Sequence, residues 1–323
     1  MDSIHDPTEE KATAMKQYLI KRVLLAAGIL FAISIITFFV LNIIPGDPVA
    51  LMLGDNADPQ TIETVRHNLG MDKPLVLQYI DWITGFLTGN MGESYFQHKS
   101  VSDMIFNAFG YTARLAAVSY AVALVLGLTI GIISALNRGN AIDHSLMTLA
   151  VAGISAPSFW VAIVLQIFIG LRFKAIPISG LNKPAAYLLP CLSLGTRYAA
   201  SIARITRTSM LEVMNQDFIR TARAKGLSRF RTVMVHMFRN ALIPIITVIG
   251  TDLTTLFAGS MLTESVFNIP GMGALLVDNI TKRDIPVVQG GVMVVALLCV
   301  VIYLVVDLLY AVVDPNIRLG GDK

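Results

Sequence analysis

Between Arg204 and Asn240 the chain reads RITRTSMLEVMNQDFIRTARAKGLSRFRTVMVHMFRN, a polar, basic and helix-prone island. The regions on either side are apolar and long enough to cross a membrane. Charged groups and unpaired backbone amides are costly in hydrocarbon, so such an island must project into water between two spans. Across all 323 residues the chain is 54% hydrophobic and only 15% charged, with a mean hydropathy of +0.66. That composition excludes an ordinary soluble domain. Cys191 and Cys299 both fall inside apolar stretches and read as small buried hydrophobes, not as a disulfide or a metal site.

Taken in order, residues 1–15 are polar, of mixed charge, and expected to form a cytoplasmic tail. Lys16, Lys21 and Arg22 precede an uncharged run to Pro45, and residues 16–45 are expected to form the first span, uncleaved. At about 1.5 Å per residue that run covers the roughly 30 Å hydrocarbon core. Residues 46–113 are proline- and glycine-rich and poor in Lys and Arg, as expected of an extracytoplasmic subdomain. Within it, Asp58-Pro59 opens a short helix closed by Gly70, and another runs from Leu75 to Leu87.

Residues 114–313 then hold five further spans, giving six membrane helices with both termini inside. The second, Leu115 to Asn137, contains Gly127 and Gly131 at a spacing that lets a neighbouring helix approach closely. The third, from about Ser145 to Leu171, is interrupted by Pro157, followed by Ser158. The proline is either a packing kink or part of a pathway. The fourth, about Ala185 to Arg204, carries Arg197, and the fifth, about Ala241 to Thr263, carries Asp252. A second outer loop runs from Glu264 to Pro286. The sixth span, about Val287 to Val306, leads to a cytoplasmic end at residues 314–323. The island at 204–240 holds eight Arg and Lys against Glu212 and Asp217, which places it in the cytoplasm.

No Gly-Lys dipeptide is present, so the chain has no phosphate-binding loop of the usual kind. Its five histidines are scattered without metal-ligand spacing, and no nucleophile elbow appears. These observations argue against an enzyme, a metal site or a cofactor in this chain. Membrane topology explains the basic cluster, so nucleic acid is not an expected partner. Within the island, Met214, Phe218, Thr221 and Ala222 fall at helical spacing with Arg220 and Arg223 on another face. Gly226 is placed to end that helix in the left-handed conformation, and Ser228 to cap the next one. Such a helix either receives a soluble partner or lies flat on lipid. Arg197 and Asp252 are costly inside a membrane, which makes a pathway role the default reading for both. Snorkelling or structural pairing is the alternative for Arg197.

The run Asp217-Phe-Ile-Arg-Thr-Ala-Arg-Ala-Lys-Gly-Leu227 resembles the cytoplasmic signature of permease subunits of binding-protein-dependent ABC importers, specifically the oligopeptide, dipeptide and nickel group. Arg220-Thr221-Ala222 stands where the general signature has Glu-Ala-Ala, and Gly226 where it has Gly. Ile44-Pro-Gly-Asp-Pro48, Leu69-Gly-Met-Asp-Lys-Pro74, Arg204-Ile-Thr-Arg207, Asn268-Ile-Pro-Gly-Met-Gly273 and Arg283-Asp284 are similar to that group's first permease subunit. The resemblance implies an all-α type I importer permease in a bacterial inner membrane. It implies a second permease, two ATPase subunits that bind ATP and Mg, and an extracytoplasmic substrate-binding protein. Asp217, Arg220, Thr221, Ala222, Arg223, Ala224, Lys225, Gly226 and Ser228 would contact the ATPase. Arg197, Asp252, Pro157 and Ser158 would line the pathway, and Glu264, Pro270, Gly271 and Gly273 would form the outer loop. The implied substrates are peptides. Nickel, metallophores and glutathione travel through the same fold, and an ion-coupled secondary transporter is the competing class.

Overall fold

The computed structural model describes residues 7–43, 47–54 and 57–313. Among these residues every regular element is a helix, apart from one isolated antiparallel bridge between Glu93 and Ser100. In chain order the helices are α1 (Pro7–Ile43), α2 (Pro48–Leu53), α3 (Pro59–Asn68), α4 (Leu75–Thr88), α5 (Val101–Leu136), α6 (Ala141–Ser155) and α7 (Ser158–Leu165). There follow α8 (Leu188–Met214), α9 (Asp217–Ala224), α10 (Arg229–Arg231), α11 (Arg239–Val266), α12 (Met272–Lys282) and α13 (Ile285–Val313). A π-helical turn extends α7 over Gln166–Gly170, and a second, Thr232–Phe238, joins α10 to α11.

Four segments are long and apolar enough to cross a bilayer: Ile20–Ile43, Val101–Leu136, Arg229–Phe257 and Ile285–Leu308. A fifth candidate is the pair Ala141–Ser155 and Ser158–Gly170, bent by 103° at its break. The expected third span is therefore broken at Pro157, not merely kinked. Proline disfavours the helical conformation of the residue before it, and Ala156 is extended, with φ −80° and ψ 126°. The expected fourth span is different in kind. Helix α8 is 27 residues long but does not meet the same length-and-hydropathy criterion. Fourteen of its residues, from Leu189 to Met210, are buried. A helix sheathed by protein can be less apolar than one facing lipid, because its neighbours supply the apolar surroundings.

Other boundaries differ from expectation where the chain is described. Helix α1 starts at Pro7, whose fixed φ suits a first helical position, so only residues 1–6 of the expected tail fall outside the described chain. The cytoplasmic end expected at 314–323 and Ile44-Pro-Gly46 of the first motif also lie outside the described residues. Helix α11 continues to Val266 and α12 occupies Met272–Lys282, so most of the expected outer loop at 264–286 is helical.

The chain divides into two compact units. One comprises the described parts of Met1–Val23, Arg114–Asn268 and Val301–Lys323. Its core joins Tyr120 and Ala123 of α5 to Tyr198, Ala199 and Ile202 of α8 and Leu256 of α11. The Gly127 and Gly131 spacing makes this packing close. A Cβ built on Gly127 would lie 2.7 Å from the Ala199 carbonyl oxygen, and one on Gly131 would lie 2.6 Å from Thr206 Cβ. The other unit comprises Leu24–Ala113 and Ile269–Val300, again in their described parts. There Val101, Ile105 and Ala108 of α5 pack with Met272 of α12, Val287 of α13 and Met91. The external subdomain expected at 46–113 thus shares a core with residues far along the chain.

Candidate functional site

Helix α9 lies at the centre of the island. Its end is a complete Schellman motif: Gly226 has φ +72°, its N–H donates to Arg223 O at 3.0 Å, and Leu227 N–H donates to Ala222 O at 3.3 Å. Two of the carbonyls that any helix end leaves unpaired are satisfied in this way. Ser228 Oγ then accepts from Arg231 N–H at 3.3 Å and starts α10. The inner face is set by Ile219 and Ala222, both buried. Ile219 packs in one cluster with Met210 of α8, Ala135 of α5, Val233 and Met237 of the π-turn, and Ala241 and Ile245 of α11. The face expected from the sequence is rotated. Phe218 and Thr221 are exposed and Met214 is half-buried, while Ile219 turns inward onto Met210, Met237 and Ala241. The outer face presents Asp217, Arg220, Thr221, Arg223, Ala224 and Lys225 to solvent, together with Gly226 and Ser228. Arg220 and Asp217 form only a long exposed contact of 3.5 Å, of the kind that contributes little stability.

A clamp sits just above this helix in the same unit. Arg207 Nε donates to Asp143 Oδ1 at 2.6 Å, and a terminal nitrogen donates to Oδ2 at 2.7 Å. Gly139 N–H adds a donor to Oδ2 at 2.9 Å, and the Ser134 hydroxyl donates to Oδ1. The Asp143 side chain is only 1% exposed, while Arg207 keeps 27%. A bidentate guanidinium with two further donors is the arrangement a buried carboxylate requires. It ties the α5–α6 turn to α8. Arg207 is the last residue of the Arg204-Ile-Thr-Arg207 motif, and nothing in the sequence pairs it with Asp143. An acid opening an otherwise apolar helix was the one available signal.

Higher in the unit, Arg197, Tyr198, Ser201 and Arg204 of α8 line a cavity of about 230 Å³ together with Ile154 of α6 and Thr251, Asp252 and Thr255 of α11. The structure therefore brings Arg197 and Asp252 to one cavity without a direct ion pair. Asp252 faces the Ser201 hydroxyl and the Arg197 guanidinium, and its Oδ2 has no hydrogen-bond partner among the described residues. Arg197 is exposed and Asp252 half-buried. Arg197, Ser201 and Arg204 fall at i, i+4 and i+7 along one face of α8. Pro157 and Ser158 stand at the helix break and do not line this cavity. Ile154, one turn earlier, does.

Two family models cover most of the chain. Residues 127–319 match the binding-protein-dependent transport system inner membrane component, and residues 15–116 match the N-terminal membrane component of the same systems. The di/tripeptide transport system permease protein DppB of Pseudomonas aeruginosa (strain UCBPP-PA14) is 39% identical, with 94% of this chain and 99% of the relative covered. The chain belongs to this family of inner membrane components. The dipeptide transport system permease protein DppB of Escherichia coli (strain K12) is 37% identical over the same shares. Among solved structures, two inward-facing crystal forms of the MetNI methionine ABC transporter match with TM-scores of 0.53 and 0.56 at 20% and 19% identity. Each match covers 65% of this chain and 96% of the other. At that identity they show the fold alone, an ABC importer permease fold in a multi-pass membrane protein.

The remaining motif residues of this permease lie at the end of α11 and around α12. Glu264 is fully buried in α11, beside Ser260 Oγ at 3.1 Å, and is no loop residue. The expected position failed because α11 runs one turn further than its apolar stretch. Pro270 is exposed, Gly271 precedes α12, and Gly273 is buried in its first turn. In that unit Thr112 Oγ1 accepts the Met272 N–H at 2.8 Å. Asp284, fully buried, accepts from Ser94 Oγ at 2.5 Å and from Tyr95 N–H at 3.2 Å. Burial and this neighbouring carboxylate push the Tyr95 phenol above its ordinary range. The Arg283-Asp284 motif thus anchors the segment before α5 to the start of α13.

Proposed function

We propose that this chain is one of two membrane subunits of an ATP-driven importer of short peptides. The observation that carries the reading is near-complete coverage, at 37–39% identity, by permeases named for dipeptide and di/tripeptide transport. In this reading a second, related permease completes the pathway and two ATPase subunits bind ATP and Mg. An extracytoplasmic binding protein delivers the peptide. The basic island faces the cytoplasm with both termini. The permease itself holds no cofactor and makes or breaks no bond.

The geometry supports a route for the work. Asp217, Arg220, Thr221, Arg223, Ala224 and Lys225, with Gly226 and Ser228, present a short cationic surface to an ATPase cleft, while Ala222, expected among the contacts, is buried. Ile219 behind it is wedged against Met210, Met237 and Ala241. Interiors packed to crystal-like density transmit displacement, so a push on α9 passes to the roots of α8 and α11. Those two helices carry Arg197 and Asp252 into one cavity, where the guanidinium suits a peptide carboxylate and the carboxylate suits its ammonium.

Proteoliposomes containing the whole transporter and its binding protein test the reading. Uptake of alanyl-alanine that requires ATP on the island side is expected. Ion-driven uptake by this chain alone, or ATP-driven uptake of nickel without dipeptide, would overturn it.

A further inference from the structure

The unit built from Leu24–Ala113 and Ile269–Val300 contains a second cleft, of about 670 Å³, which the transport scheme leaves without a role. Aromatic side chains form one wall: Phe38 and Trp82 have ring centroids 5.8 Å apart. The cations in its lining are already neutralised. Arg66 donates to Asp47 at 2.5 Å and to Glu63 at 2.9 Å, and Lys73 donates to Asp81 at 2.7 Å. The cleft is therefore a poor host for an anion. Two lining groups stand without partners among the described residues. The Glu93 carboxylate is exposed at the rim, and Gln289 of α13 is 4% exposed with its amide nitrogen unbonded. A buried amide donor without an acceptor is a costly arrangement that bound ligands commonly relieve.

We propose that this cleft binds the amino-terminal end of a short peptide. The ammonium sits at Glu93, the first carbonyl accepts from the Gln289 amide, and the side chains rest on Phe38 and Trp82. The inference rests on the peptide-importer reading and adds a second subsite, separate from the Arg197 and Asp252 cavity. Its chemistry selects a free amino terminus and ignores the carboxyl end, because both lining cations are committed to carboxylates of this chain.

Trp82 and Trp160 are the two tryptophans of the chain, so the full-length Trp160→Phe protein in detergent reports on the cleft through Trp82 fluorescence. Titration would compare alanyl-alanine with N-propionyl-alanine, which has the same skeleton without the amino group. The free dipeptide should bind about three- to fivefold more tightly, the range of a solvent-exposed ion pair. In Glu93→Gln the two ligands should bind equally. Gln289→Met should weaken both by about fivefold, the worth of one hydrogen bond. Equal binding of the two ligands to the parent protein, or no saturable change in Trp82 with either, would overturn the proposal. So would unchanged affinity in both variants. Uptake by the whole transporter is measured separately. Intact dipeptide import with a silent Trp82 rejects this cleft and leaves the importer reading standing.

Discussion

Gly226 offers the sharpest test of how the island works, because two explanations of its importance predict different orders of substitution. Its φ of +72° lies in the left-handed region, and a Cβ placed there would meet nothing within 4 Å in this chain. The penalty for a side chain is therefore one of backbone strain, about 1–2 kcal/mol for an ordinary L-residue. That is a factor of roughly 5–30 in the population of the closed Schellman end. Asparagine visits this region more readily than alanine, although it is larger. Strain therefore orders the series Gly, Asn, Ala, Val from best to worst. If the requirement is instead space for the ATPase, the order becomes Gly, Ala, Asn, Val by bulk, with Ala and Asn exchanged. The assay is the ratio of peptide imported to ATP hydrolysed by the reconstituted transporter, at matched amounts of membrane-inserted permease. Under strain, Gly226→Ala should lose several-fold more coupling than Gly226→Asn. Equal or reversed losses would refute the strain account. Wild-type coupling in Gly226→Val would refute any need for the left-handed end. Disappearance of the variants from the membrane would assign the glycine to folding.

Other expectations follow from the same packing. Gly131→Leu should destabilise the chain by about 1–3 kcal/mol through overpacking of α5 on α8, read as a lower melting temperature in detergent, whereas Gly28→Ala, with open space at its Cβ, should leave it unchanged. Arg207→Ala should cost about 3 kcal/mol by leaving Asp143 buried; Arg207→Lys should recover only part of this because the two-pronged contact is lost, and adding Asp143→Ala to Arg207→Ala should restore stability. Arg197→Ala should lower peptide uptake at normal expression without altering the melting temperature, and unchanged uptake would remove Arg197 from the pathway.

Much of this was legible in the sequence where the physics is local. Gly226 followed by Ser228 announced one helix end and the next helix start, because both depend on backbone conformation within a few residues. Gly127 and Gly131 announced a close approach but not the partner, which is α8. The inner face of α9 was misjudged for a related reason. In eight residues Phe218 and Ile219 lie about 100° apart, and either could head an apolar stripe. The choice is made by what α9 packs against, which is distant in sequence: Met237 and Ala241 as well as Met210. Pro157 marked the place of a break but not its 103° angle. The Asp143 and Arg207 clamp joins residues 64 apart, and no periodicity connects them. Glu93 and Gln289 are further still from being adjacent in sequence, and each alone reads as an ordinary polar residue.

The island also changes character once its helices are in place. Arg204 to Met214 belong to α8, and α10 with its π-turn runs without a gap into α11. What looked like a 37-residue loop is two long helices bridged by residues 215–228, which contain the eight residues of α9. A displacement of α9 therefore has two exits. Toward α8 it meets Met210 within one tightly packed helix that the Asp143 clamp ties to the α5–α6 turn. Toward α11 it meets the turn Thr232–Phe238, whose wider i to i+5 hydrogen bonding is the geometry found where helices change register at functional sites. In the proposed scheme a push on α9 therefore reaches both α8 and α11, which line the cavity. Arg197 and Arg204 stand on the α8 side of that cavity and Asp252 on the α11 side. In that scheme the push reaches the cavity as a change in the separation of Arg197 and Arg204 on α8 from Asp252 on α11.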